Sequence, residues 1–208
     1  MRQPGPNDEP ALSSLEELND RLRASPLLEG SGQVVVGEGP APAAIAFVGE
    51  QPGDEEDKQG RPFVGPAGRL FDKALSEAGI DRNRVYVTNA VKQFKFVQRG
   101  KRRIHEKPSM ADVTHYRWWL KRELDFVQPS LVVSLGATAA LALAGRRVTI
   151  TKERGASTFD GRQGFVTVHP SYLLRIPDVE ARETAWAAFL ADLHMVARLA
   201  SLSTHGGR

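Results

Sequence analysis

Residues 44–54 read AIAFVGEQPGD, a five-residue apolar run that leads into a glycine-rich, acidic loop. A short apolar run bounded by glycine predicts a buried strand. Further runs of this kind are RVYVT at 84–88, LVVSL at 131–135 and GFVTV at 164–168, and segments with helical periodicity lie between them. Apolar strands that alternate with helices predict a parallel sheet covered on both faces.

The chain as a whole is therefore predicted to fold as one α/β domain over residues 11–200. Its core is a central, mostly parallel four-stranded sheet flanked by helices on both faces. Residues 1–10 are expected to be a disordered tail and residues 201–208 a flexible one. Short strands are predicted at 34–36 and 148–151, and loops at 49–65 and 93–107. Helices are predicted at 13–23, 66–78, 109–127, 136–143 and 181–199, with Ser13 or Ser14 and Ser109 as N-terminal caps.

Composition excludes several classes of chemistry. The 208 residues contain no cysteine, which rules out disulfides, cysteine nucleophiles and cysteine-held zinc or iron–sulfur clusters. The five histidines lack the short spacings of a tight metal site, so no metal is expected. No stretch approaches the roughly 20 apolar residues of a membrane span, and the N-terminus lacks a signal-peptide core. We expect a cytoplasmic monomer with no membrane partner.

Polar side chains stand at the exits of three predicted strands. Glu50 follows the first strand, Asn89 the second and His169 the last. Ligands of parallel α/β sheets bind at the carboxyl ends of the strands, so these side chains are expected to meet. Taken singly, Asn89 is equally typical of a turn, and His169 of a buried, hydrogen-bonded core histidine.

Two loops differ sharply in charge. The loop at 49–65 is acidic and lacks the G-x-x-x-x-G-K-[ST] pattern, so it is not predicted to be a P-loop. The segment from Lys92 to Lys107 carries seven basic residues against the single acid Glu106. Such a run is either a footprint for DNA phosphates or a solvated basic loop, and its charge alone does not decide between them.

Four blocks of sequence together resemble a known family. They are GEQPGDEEDKQGRPFVGPAG at 49–68, VTNAVKQFKF at 87–96, KRRIH at 101–105 and VHPSYLLR at 168–175. In this order they resemble the uracil-DNA glycosylase superfamily, its family 4 branch and most closely the UdgX subgroup. The resemblance runs from about residue 44 to residue 175. It implies a DNA-repair enzyme whose partner is uracil-containing DNA, with single strands preferred.

The resemblance assigns roles in breaking the bond between uracil and its sugar. His169 would donate to the departing uracil anion, and Glu50 would stabilise the sugar cation or orient a nucleophile. Asn89 would read the base, because its amide matches uracil N3–H and O4 and mismatches cytosine. Phe63 would stack on the flipped base, although packing in the core is its ordinary alternative. The remaining residues assigned to the uracil pocket are Gln51, Gly53 and Asp54.

The KRRIH block separates two mechanisms. In the resembled subgroup its histidine attacks C1′ of the sugar and stays bonded to the DNA, which makes His105 the nucleophile and Arg103 the residue that docks the loop. The alternative is that His105 is an exposed residue of a DNA-binding loop. Ser171 either contacts DNA or caps the helix that follows it. The full set of predicted DNA contacts is Lys92, Lys101, Arg102, Arg103, Ser171 and Arg175.

The chain departs from the resembled families in one respect. Those families carry a [4Fe–4S] cluster held largely by cysteines, including a C-x-x-C before the first strand. This chain reads Arg-Ala-Ser-Pro at 23–26 and His-Tyr-Arg at 115–117, so no cluster is expected. We expect apolar packing, by Trp118 and Trp119, in its place.

Three functions remain open at this point. The first is a covalent uracil-DNA glycosylase that is used once. The second is a turnover glycosylase in which Glu50 or Asp54 activates water and His105 only helps to bind DNA. The third is a protein that binds uracil-containing DNA without catalysis.

Overall fold

The computed structural model describes residues 12–205, with side chains through residue 201. The predicted tail at 1–10 lies outside the described residues. Within the tail predicted at 201–208 the last helix continues to His205, so its flexibility stays a prediction, and residues 206–208 lie outside the described range. The strands are β1 Ser31–Val34, β2 Ile45–Gly49, β3 Tyr86–Asn89, β4 Gln93–Arg99, β5 Arg102–His105, β6 Leu131–Leu135, β7 Gly155–Phe159 and β8 Arg162–Thr167.

Eight α-helices are found within residues 12–205, and Ser14 and Ser109 cap two of them as predicted. Their first-turn N–H groups bond to the serine hydroxyls, at 3.1 Å for Glu17 and 3.2 Å for Asp112. The helices are α1 Leu15–Ala24, α2 Asp54–Gln59, α3 Pro66–Glu77, α4 Met110–Val127, α5 Ala137–Ala144, α6 Ile150–Glu153, α7 Pro170–Leu174 and α8 Val179–His205. None of the helices in this range is both long and apolar enough to cross a membrane.

The central sheet has the strand order β3-β2-β6-β8-β7. The first four strands are parallel and are the four that the sequence predicts. The sheet nevertheless has five strands, because β7 adds an antiparallel edge that the sequence analysis missed. The signal for β7 is the dipeptide Asp160-Gly161 between β7 and β8. Both residues have positive φ, 48° and 80°, as a two-residue hairpin turn requires.

Helices cover both faces of this sheet, as predicted. Successive side chains of a strand point to opposite faces, and β2 divides its residues accordingly. Ala46 and Val48 pack into a core with α1, α4 and α5, whereas Phe47 packs into a second core with α3 and α8. The sheet is therefore buried from both sides, and only its carboxyl edge is left for a site.

The basic segment forms structure that the sequence analysis did not predict. Instead of a loop at 93–107, β4 and β5 form an antiparallel hairpin, and β1 joins it to make a separate three-stranded sheet. Gly100 turns the hairpin at φ 57°. The acidic loop at 49–65 contains α2. The strand predicted at 148–151 is wrong, since α6 begins at residue 150, and the strand predicted at 34–36 lies earlier, at β1.

Candidate active site

The exits of the parallel strands meet in one open cleft of about 1500 Å³ at the carboxyl edge of the sheet. Glu50, Asn89 and His169 all line it, so the convergence predicted from the strand exits is found. The cleft is larger than one base requires, which leaves room for a sugar and flanking backbone beside it. A fourth exit, after β6, contributes Gly136 and the start of α5, which the sequence analysis did not include.

Glu50 is held by two partners, one on each carboxylate oxygen. Thr138 of α5 donates its hydroxyl to Oε2 at 2.5 Å. His105 Nε2 lies 3.4 Å from Oε1. Burial raises the pKa of the Glu50 carboxyl, but the bonds from His105 and Thr138 outweigh it and hold the pKa below its usual range. Glu50 is therefore an oriented anion at the centre of the cleft.

His105 reaches Glu50 because the β4–β5 hairpin folds over the cleft. It pairs with Phe96 in the hairpin register, and its ring lies 6.2 Å from that of Phe94. About half of its side chain is exposed, so an incoming ligand has access to it. His105 is exposed, as its alternative interpretation as a DNA-binding residue expects, but it lies in a strand rather than in a loop, and it also lines the cleft.

Arg103 fastens the same hairpin to α2. Its Nε donates to Asp54 Oδ1 at 2.6 Å, and its Nη1 donates to the buried carboxylate of Asp57. Its guanidinium also lies over the rings of Phe94 and Phe96, at 5.4 and 5.0 Å from their centroids. Arg103 and His105 point to the same side of β5, because they are two residues apart.

Gln51 joins the two backbone segments that carry Glu50 and His105. Its amide nitrogen donates to the backbone oxygens of Lys95 and Glu106, at 3.3 and 3.1 Å, and its amide oxygen accepts from the Lys95 N–H at 3.2 Å. Its side chain is used in these contacts, and Gln51 also lines the cleft. The assignment of Gln51 to the uracil pocket stays a prediction, and a contact through its backbone would leave the hairpin contacts intact.

Gly53 and Asp54 are also committed to structural partners. The Gly53 N–H donates to Glu56 Oε2 at 3.1 Å, and Glu56 Oε1 accepts from Gly65 N–H at 2.8 Å. Asp54 is paired with Lys58 at 2.5 Å and with Arg103, and these partners lower its pKa. Asp54 lines the cleft, but a carboxylate paired with two cations is a poor base. Glu56 was missed, although a glutamate three residues after a capping glycine is a recognisable signal.

The tautomer of His169 follows from its partners. The backbone N–H of Ser171 donates to His169 Nδ1 at 3.1 Å, so Nδ1 is an acceptor. The proton of the neutral ring is then on Nε2, which makes His169 a donor. Burial lowers the pKa of His169 to about 4, so the ring is neutral at pH 7. Ser171 does not cap α7, because His169 is the N-cap, and its hydroxyl contacts His169 and Arg175.

Asn89 and Phe63 form the closed end of the cleft. Asn89 is buried beside Gly49, where a Cβ would lie 2.4 Å from Asn89 Oδ1 and 2.7 Å from Phe63 Cζ. Phe63 adopts φ 57°, an unusual conformation for a bulky residue and typical of functional sites. Its ring belongs to the core and also faces the ring of His169, at 6.3 Å between centroids. The core packing of Phe63 is confirmed, and its stacking on a flipped base stays a prediction.

The predicted DNA contacts divide by exposure. Lys101, Arg102 and Arg175 are exposed. Lys92 is not, because its side chain is fully buried and pairs with Glu123 at 2.5 Å and Thr88 at 2.6 Å. The DNA contact predicted for Lys92 is wrong, since a buried ammonium in an ion pair cannot reach a phosphate.

Comparison with known proteins agrees with this geometry. The profile of the uracil DNA glycosylase superfamily matches residues 36–194, which includes every strand exit described above. The chain belongs to the uracil-DNA glycosylase superfamily. Three relatives are each named type-4 uracil-DNA glycosylase. The one from Thermotoga maritima is 40% identical over 81% of this chain and 87% of its own length. Those from Sulfurisphaera tokodaii and Pyrobaculum aerophilum are 32% identical, over 77% and 80% of this chain and 74% and 86% of theirs.

The iron–sulfur cluster implied by resemblance to this superfamily does not fit the residues present. Cysteine thiolates are the donors that such a cluster needs, and the chain has none. Near the two positions noted above, Ser25 bonds to a backbone oxygen of α1, and the buried Tyr116 donates its hydroxyl to Gln93. No step is therefore derived through a cluster. Apolar packing is found here beside this polar contact, because Leu22 and Tyr116 belong to one core against which Trp119 packs, and the rings of Trp118 and Trp119 contact each other.

Proposed function

We propose that this chain is a uracil-DNA glycosylase that cleaves the bond between uracil and deoxyribose and then bonds its own His105 to C1′ of the sugar. One observation carries the proposal: His105 Nε2 lies 3.4 Å from Glu50 Oε1, and both residues line the cleft. A histidine beside a carboxylate in a cleft is the arrangement of an activated nucleophile. Membership of the superfamily supports the choice of the bond between uracil and deoxyribose as the bond that is cleaved.

In the first step the C1′–N1 bond breaks and both of its electrons leave with uracil. Negative charge develops on the uracil oxygens, and positive charge on the sugar. The neutral His169 donates from Nε2 to the developing oxyanion, and the Glu50 carboxylate lies opposite the sugar cation. Fixed groups of this kind act most strongly in a cleft that excludes water.

Asn89 selects the base in this scheme. Its amide oxygen accepts from uracil N3–H, and its amide nitrogen donates to O4. Cytosine reverses this pattern and leaves both groups unpaired, at a cost of roughly 1–3 kcal/mol for each buried group. Phe63 stacks on the flipped base, which matches its position between the core and His169.

In the second step His105 forms a bond to C1′. As Nε2 bonds to C1′, the imidazole loses its N–H proton to Glu50, which passes this proton to the uracil anion. The products are free uracil and DNA joined to the imidazole, so no further reactant is consumed. Because the covalent bond holds the sugar, the enzyme is used once.

The surface around the cleft suits DNA. Lys101 and Arg102 at the hairpin tip and Arg175 after α7 are exposed cations near the proposed site, and phosphate contacts by such residues supply most of the affinity for DNA. We propose that single-stranded DNA is preferred, because flipping a base from a duplex costs unpairing and unstacking. One chain supplies every group named, so the proposed enzyme acts as a monomer.

The test uses a single-stranded oligonucleotide with one uracil, incubated with the full chain and heated in denaturant before electrophoresis. We expect a heat-stable shifted band with the wild-type protein and none with His105→Ala. His194→Ala, which removes an exposed histidine of α8, is the matched control and retains the band. Abasic DNA released in excess of enzyme would instead establish the turnover mechanism. Binding without uracil release would leave only a binding protein.

A further inference from the structure

Thr138 is a buried polar residue of α5 that contacts Glu50 and has no role in the scheme above. It follows the exit of β6, the central strand between β2 and β8, and its side chain is 5% exposed. Its hydroxyl donates to Glu50 Oε2 at 2.5 Å, across 88 residues of sequence. The bond joins the start of α5 to the loop after β2.

The two oxygens of Glu50 are not equivalent because of this bond. Oε2 is occupied by Thr138, whereas Oε1 faces His105 Nε2 at 3.4 Å. A carboxylate held at one oxygen loses its freedom to rotate about the terminal torsion of its side chain, which is otherwise broad. The remaining oxygen is then presented in one direction, and that direction is towards the imidazole.

We infer that Thr138 is the positioning residue that reserves Glu50 Oε1 for His105 and thereby directs the cleaved sugar to the imidazole rather than to water. Thr138 acts through Glu50 and touches no reacting atom. The inference rests on the proposed function, because it concerns the step after uracil leaves. It also explains why a cleft open to solvent would favour the histidine, since an unanchored carboxylate could turn either oxygen to a water molecule.

The hydroxyl also affects how Glu50 titrates. Burial raises the pKa of the Glu50 carboxyl, and the bonds from His105 and Thr138 lower it. Removing the Thr138 hydroxyl takes away one of the groups that lower this pKa. The pH below which adduct formation falls should therefore move upward, which a purely structural role for Thr138 would not predict.

The experiment compares Thr138→Val, which keeps the shape and removes the hydroxyl, with Thr138→Ser, which keeps the hydroxyl. Thr114→Val is the matched control, because Thr114 lies on the exposed side of α4 and bonds only to a backbone oxygen. Single-turnover reactions on the uracil oligonucleotide measure three quantities over pH 4–9: free uracil, the heat-stable adduct and free abasic DNA. Urea unfolding of each variant accompanies them.

We expect Thr138→Val to lower the rate of adduct formation by about 10- to 100-fold, the range for losing one hydrogen bond to a charged group. Uracil release should fall less, abasic DNA should appear, and the acidic midpoint should rise. Thr138→Ser and Thr114→Val should stay within about threefold of the wild type. An adduct rate and pH midpoint in Thr138→Val equal to those of the wild type would overturn the inference.

Equal losses in Thr138→Val and Thr138→Ser, together with a lower unfolding midpoint in both, would also overturn it, because they would show a packing role. The wild-type reaction reports separately on the proposed function. If the wild type releases uracil with turnover and forms no adduct, both the covalent mechanism and the partition by Thr138 are refuted. If the wild type forms the adduct and the valine variant does so equally well, only the role of Thr138 fails.

Discussion

Replacing Lys92 by methionine should destabilise the folded protein without weakening its binding to DNA phosphates. Lys92 and Glu123 form an ion pair whose side chains are 1% and 2% exposed. Burial lowers the pKa of Lys92, but the adjacent Glu123 carboxylate opposes that effect. Removing one partner leaves an uncompensated buried charge, which costs about 3–5 kcal/mol. The hydroxyls of Tyr86 and Thr88 also donate to Glu123, at 2.9 and 3.0 Å, so we expect a loss near 3 kcal/mol.

Urea unfolding followed by circular dichroism measures this loss as a lower midpoint at unchanged slope. Lys92→Met combined with Glu123→Gln should recover part of it, because the neutral amide still accepts from the two hydroxyls. Arg102→Ala provides the contrast in DNA binding. The logarithm of the binding constant should fall less steeply with the logarithm of the salt concentration, by about 0.7 in slope, whereas Lys92→Met should not change that slope. A Lys92→Met protein within about 1 kcal/mol of the wild type would refute the reasoning.

Three further predictions follow from the same geometry. His169 has a pKa of about 4 in the folded protein, against 6.5 ordinarily. Between pH 4 and pH 6.5, His169 is therefore protonated in the unfolded chain and neutral in the folded one. The free energy of unfolding should therefore fall by about 2–3 kcal/mol as the pH drops from 6.5 to 4. Urea unfolding over this pH range measures the fall, and His169→Gln should lack this contribution. Arg103→Ala should release the hairpin from α2, so that denaturing gels show at least tenfold slower adduct formation while uracil release persists; equal slowing of both would contradict the docking role. Gly49→Ala should abolish uracil release, because the new Cβ overlaps the Asn89 amide and the Phe63 ring; retained activity would mean that the base does not bind there.

The central sheet was predictable because its parallel strands are buried on both faces. Burial on both faces leaves a continuous apolar run such as residues 44–48, and the polar residues at the exits then fall at one edge. The hairpin was not predicted, because five of the residues 93–105 are basic and most of the residues from Val97 onward are exposed. Its period of two is visible only in Phe94 and Phe96, which alternate with Lys95 and Val97. The loop assignment at 93–107 therefore gave charge more weight than periodicity.

The sequence could not predict those contacts in the site that join residues far apart along the chain. The hydroxyl of Thr138 donates to Glu50, which is 88 residues away in sequence, and no local sequence pattern predicts that contact. Lys92 illustrates the opposite error. It lies in a basic run, and only the fold reveals that it points inward to Glu123, 31 residues away. Strand exits indicate which side chains meet, but the partner that orients each of them depends on how the helices pack.

The position of His105 depends on three polar anchors along one hairpin. At the base, the Gln93 amide donates to Gly32 O at 2.7 Å and accepts from the Leu28 N–H at 3.1 Å and from the Tyr116 hydroxyl. Next, Gln51 bonds to Lys95 of β4 and to Glu106, the residue that follows β5. Towards the tip, Arg103 bonds to α2. Hydrogen bonds therefore fasten the hairpin along its length to the elements around the cleft. The Glu50–His105 geometry thus rests on side chains that this chain possesses, and no cysteine is needed to hold it.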